Sequence, residues 1–103
     1  MKQILTVALA LVVAGTLVVA QNARDPEVLF KAAQHTEEVQ GNLKAAIAQY
    51  QLVVAAGNRA LAAQALIRMA ACYEKLGGGE SRPLYERVVR EFADQKDASA
   101  VAR

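Results

Sequence analysis

The stretch Glu38 to Val54 returns in outline at Lys75 to Val89, and this repetition most constrains what the chain can fold into. Each copy reads as a helix end, a glycine turn, and a second helix carrying a tyrosine and a Val-Val pair. Gly41 and Gly77 stand 36 residues apart, and Tyr50 and Tyr85 stand 35 apart. A step of that size belongs to helical hairpins stacked side by side, because one hairpin alone cannot bury its apolar face. The expected fold is all-α, with two antiparallel hairpins and the start of a fifth helix.

A different kind of segment precedes the repeats. Lys2 supplies a positive start, a nearly unbroken apolar run covers Ile4 to Ala20, and Val18-Val19-Ala20 has the short side chains a signal peptidase reads. The expectation is a signal peptide over residues 1–20, cleaved after Ala20, and a short linker over 21–24. Export to the periplasm follows, with secretion, or anchoring in the inner membrane by residues 4–20, as the alternatives. The run is at the short edge of what spans a bilayer. A lipid anchor is excluded at this site, because Gln21 stands where a lipoprotein needs a cysteine.

Beyond residue 20 the chain holds 11 of the 12 basic residues and all 10 acidic ones, a net charge near +1. That balance points to no nucleic-acid partner and to no membrane contact beyond the signal segment. Arg82, Arg87 and Arg90 interleave with Glu80, Glu86 and Glu91 as a solvated, ion-paired helix face. Cys72 is the single cysteine, so no internal disulfide forms. It lies within an apolar stripe and reads as a buried hydrophobe, the alternative being a disulfide between chains.

Helix signals follow in order. Asp25-Pro26 opens a first helix with the stripe Val28, Leu29, Ala32, Thr36 and Val39, which Gly41 ends. Asn42 caps a second with Leu43, Ala46, Ile47, Tyr50, Val53 and Val54. Gly57-Asn58 starts a third, Arg59 to Leu76, carrying Leu61, Ala65, Leu66, Met69, Tyr73 and Leu76. Gly77-Gly78-Gly79 breaks it, since glycines are costly in a helix. They form no phosphate loop, because no Lys-Ser or Lys-Thr follows. Ser81 reads as the cap of a fourth helix with Leu84, Tyr85, Val88, Val89 and Phe92. Asp94-x-x-Asp97 reads as the start of a fifth, Gln95 to Arg103. The hairpins thus occupy 25–57 and 58–93, a repeat region of 25–95, and a truncated capping helix fills 96–103.

Leu66, Met69, Ala70, Tyr73, Leu76 and Gly77, followed by Ser81, Tyr85 and Val88, resemble the pattern of a tetratricopeptide repeat. Leu29, Ala32, Ala33 and Val39, then Ala46, Tyr50 and Val53, stand in the corresponding places of the first copy. No tryptophan is present, and Asn58 and Ala93 replace the family's proline after each repeat. Cys72-Tyr73-Glu74-Lys75-Leu76-Gly77 with Tyr85 to Phe92 is similar to such repeats in periplasmic and outer-membrane bacterial proteins. The resemblance implies a short right-handed solenoid and a non-catalytic, protein-binding or scaffolding role in the cell envelope. It also implies a groove lined by the first helix of each repeat. By position, that groove presents Glu27, Phe30, Gln34, Glu37 and Glu38, then Gln64, Ile67, Ala71, Glu74 and Lys75. It is expected to be mildly acidic, partly apolar, and to accept a basic or mixed protein segment.

Enzyme readings find no inventory: no histidine beside a nucleophile, no carboxylate pair in a pocket, no phosphate loop. No cofactor is expected. His35, the sole histidine, reads as a surface residue rather than a metal ligand, because Glu37 and Glu38 do not share its face. Two alternatives to a binding module are a self-associating element joined through its uncapped C-terminal hairpin, and the N-terminal part of a longer envelope protein. Two repeats and a fifth helix too short to shield the last hairpin motivate both.

Overall fold

The computed structural model describes residues 25–103; the segments expected at 1–20 and 21–24 lie outside the described residues. Those described residues are all-helical, with α1 Pro26–Glu38, α2 Leu43–Ala55, α3 Arg59–Leu76, α4 Ser81–Glu91 and α5 Lys96–Ala102. Among them no helix is long and apolar enough to cross a membrane.

Local sequence sets the helix starts. The Asp25 carboxylate accepts from Glu27 N–H at 2.9 Å, and the Asn42 and Asn58 amides accept from Ala45 and Leu61 N–H at 3.1 Å. Each such cap is worth about 1 kcal/mol by satisfying an orphan donor. Ser81 does not cap α4. It is the first helical residue, and Glu80 before it is already helical at φ −74°, ψ −13°, where no side-chain cap bond forms. Nor does Asp94 cap α5: Gln95 holds the cap position without a side-chain bond, and the Asp94 carboxylate goes to Arg59. At the end of α3, Gly77 at φ +81° allows Gly77 N–H to reach Glu74 C=O and Gly78 N–H to reach Tyr73 C=O. That left-handed residue is why a glycine stands there.

Turns of three or four residues fold each helix back against its predecessor. The central helix is α3, which packs against all four others. Tyr50, Leu66, Val53, Val88 and Cys72 are the largest fully buried side chains. Ala33, Ala46, Ala63, Ala65 and Ala70 have no exposed surface, and their small size lets the helices close on one another.

The stripes of α2 and α4 face the core as the sequence pattern predicts, with Ala46, Tyr50, Val53, Val88 and Phe92 buried. In α1 the face differs. Phe30, Ala33, Thr36 and Glu37 are buried, while Val28 and Val39 are 47% and 71% exposed and Ala32 faces solvent. The buried residues of α1 match Ala63, Leu66, Met69 and Ala70 of α3, all buried, at a constant step of 33 residues. The caps Asp25 and Asn58 keep the same step. The equivalence of Ala33 with Ala70 drawn from the glycine turns is therefore one helical turn out of register. The reason is length: α3 has 18 residues and α1 has 13, so Gly77 ends a helix that runs farther than the one before Gly41.

Cys72 is fully buried. Burial, then the charge of Glu37, pushes its thiol pKa up, so the reactive thiolate is scarce. Aromatic-disulfide reagents should label the folded protein at least ~100-fold more slowly than the urea-unfolded one. Labelling at equal rates would show that this part of the core opens freely.

Candidate protein-binding groove

The odd-numbered helices share one side of the molecule. Between them runs an open cleft of about 610 Å³, lined by Phe30 and Gln34 of α1, Ala60, Gln64, Ile67 and Arg68 of α3, and Asp94 to Ala98 and Val101 at α5. Its floor is apolar: Phe30 is 9% exposed, its ring 5.7 Å from that of Tyr50, and Ile67 and Ala98 join the core. Three amides, Gln34, Gln64 and Gln95, stand on its walls. Each offers donors and an acceptor, which suits the backbone of an incoming peptide.

Of the ten positions expected in a groove, Phe30, Gln34, Gln64 and Ile67 are brought together. Glu37 is buried, its side chain 3% exposed. It accepts from Tyr50 O–H at 2.7 Å and Arg68 Nε at 3.1 Å, and Lys75 Nζ lies 3.7 Å away. Burial first, then the bond to Glu37, pushes the Tyr50 phenol far above its usual range. Glu38 pairs with the same Arg68. Glu37, Glu38 and Lys75 thus belong, with Arg68 and Tyr50, to a cluster tying α1 and α2 to α3. Glu74 opens onto a different cleft, of about 520 Å³, with Ser81, Tyr85 and Val89. Glu27 is exposed and Ala71 half-buried, and neither lines either cleft.

The charge of the groove differs from expectation for the same reason. Its lining holds Arg68 and Lys96 against Asp94 and Asp97, which is neutral rather than mildly acidic. Glu37 and Glu38 both pair with Arg68, but Lys75 lies beside Glu37 and Arg59 pairs with Asp94, so the balance holds with these partners counted, and Glu27 and Glu74 lie elsewhere.

The fifth helix supplies the wall that sequence reasoning missed. It has only seven residues, yet Ala98 and Ser99 are buried against α3 and α4. Arg59 fixes the turn before it. Its guanidinium donates to Glu91 C=O at 2.8 Å and to the Asp94 carboxylate, and lies 4.8 Å from the Phe92 ring centroid. The hydrogen bond from Arg59, then that from Gln95, holds the Asp94 carboxyl down at about 2. Being depressed, this carboxylate stays charged above its folded pKa, and the clamp is lost only as pH falls through about 2.

Compared with known proteins, the chain matches no family model, no curated sequence and no solved structure. Among the described residues no group of His, Cys, Asp and Glu is arranged to hold a metal ion.

Proposed function

We propose that residues 25–103 form a short stack of tetratricopeptide-like hairpins that binds a segment of another protein in the groove between α1, α3 and α5. The observation that carries this reading is the shared face of the three odd-numbered helices, with an apolar floor, amide walls and no net charge. The 33-residue step between buried faces of α1 and α3 supports it, because equivalent helices in equivalent places are what a repeat of about 34 residues builds. A cleft of this volume takes a few side chains of a partner, not a whole domain. The occupant is a peptide segment of low net charge with apolar anchors. The signal peptide expected over residues 1–20 supports an encounter in the bacterial envelope, in the periplasm.

A photo-crosslinking residue placed at Gln64 tests this in living cells, with a second at Leu52, 55% exposed on α2, as the comparison. The expected result is a protein adduct from position 64 alone, recovered with the envelope. Ile67→Asp should lower its yield at least ~10-fold by charging the apolar floor. Equal adducts from both positions, or none from position 64, would remove the groove from consideration.

A further inference from the structure

The face of α1 opposite the groove is mostly apolar and is left exposed by the other described residues. Val28, Ala32, His35 and Val39 are all exposed and stand at i, i+4, i+7 and i+11, the spacing of a coiled-coil seam. Val39 belongs to this stripe although it caps α1, because its backbone is still helical at φ −95°, ψ −50°. Scattered exposed valines need no explanation. Four positions in seam register along one 13-residue helix, about 20 Å long, do.

We propose that this face is a contact between two copies of the chain, with the α1 helices antiparallel. Self-complementarity chooses the occupant. A two-fold axis at the middle of the stripe sets Val28 of one copy against Val39 of the other, and Ala32 against His35, so a small residue meets the larger ring. The same axis brings Lys31, on one flank of the stripe, beside Glu38 on the matching flank of the other copy, twice by symmetry. Among the described residues Lys31 makes no ion pair, and Glu38 binds Arg68 through Oε1. In a parallel pair the flanks that carry Lys31 and Glu38 lie on opposite sides of the seam, so these charges do not meet. The groove lies on the other side of α1, where Phe30 and Gln34 point, so pairing leaves it open and the two readings stand or fall separately.

The contact is small, below ~1,200 Å², so association is weak and concentration-dependent. Sedimentation equilibrium on the protein as recovered from its cells, from about 10 μM to about 1 mM, should show a monomer–dimer equilibrium. His35→Leu should tighten it at least ~10-fold by replacing a polar ring in the seam. Lys31→Glu alone and Glu38→Lys alone should each abolish it, and an equimolar mixture of the two variants should restore a dimer containing one of each. All these positions are on the surface, and circular dichroism checks that each variant keeps its helices. A wild-type monomer at every concentration, or a mixture that associates no better than its components, would overturn the proposal.

Discussion

Truncating Arg68 to alanine is expected to destabilise the protein by about 3–5 kcal/mol, enough to unfold a domain of this size. Glu37 is the reason. Its carboxylate is 3% exposed and is held by Arg68 at 3.0–3.1 Å and by the Tyr50 hydroxyl at 2.7 Å, with Lys75 farther away at 3.7 Å. Once Arg68 is removed, a buried charge keeps one neutral donor and one distant ammonium, and the desolvation cost of the ion is left largely uncompensated. Glu37→Gln should cost less, about 1–3 kcal/mol, because the amide oxygen still accepts from Tyr50 while Arg68 retains Glu38. The triple replacement Glu37→Leu, Arg68→Met, Tyr50→Phe should recover most of the loss, since an apolar set of similar volume carries no desolvation cost. Urea midpoints with unchanged slope provide the measurement. An Arg68→Ala variant within about 1 kcal/mol of wild type would mean that the carboxylate is solvated rather than buried.

That cluster also shows where sequence reasoning stopped. Helix number, turns and three caps were legible, because each depends on side chains within a few residues: Asp25, Asn42, Asn58, and the glycine at the end of α3. The stripes of α2 and α4 were legible because Tyr50 and Tyr85 mark them unambiguously. The face of α1 was not. Taking Gly41 and Gly77 as equivalent ends displaced α1 by one turn against α3, and four residues at 100° each amount to a slip along the helix plus a rotation of about 40°. Reading the stripe of α1 by spacing alone also puts Val28 and Val39 inward; Phe30 does line the cleft as expected, whereas Glu37, expected beside it, is buried. The N-caps held the correct register, 33 residues apart, and a glutamate in the first repeat gave no local sign that it would be buried. The α5 wall escaped notice for a different reason. Its position depends on Arg59, 35 residues before Asp94 in sequence, and no periodicity within a seven-residue helix announces that contact.

Leu66→Ala should be the costliest purely apolar substitution, at about 2–5 kcal/mol and toward the upper part of that range. Leu66 is 1% exposed and lies midway along α3, the helix on which every other one packs. Its neighbours along the same helix, Ala62, Ala63, Ala65 and Ala70, are already at minimum size and cannot swing into a cavity. Closing the hole would require α3 to move toward α1 and α2 or toward α4 and α5, and the Glu37–Arg68 pair and the Arg59 clamp oppose such a shift. Leu52→Ala is the matched comparison: the same methyl groups leave a residue 55% exposed, and the change should stay within about 0.5 kcal/mol. Because α3 joins both hairpins, Leu66→Ala should lower the melting of probes in α1–α2 and in α4–α5 together, as a single transition. Two separated transitions, or a loss below about 1 kcal/mol, would mean that the hairpins fold independently and that α3 belongs to only one of them. A groove built across both hairpins would then keep its shape only while a partner lies in it, and the wild-type protein would show binding coupled to docking of the second hairpin rather than to a preformed site.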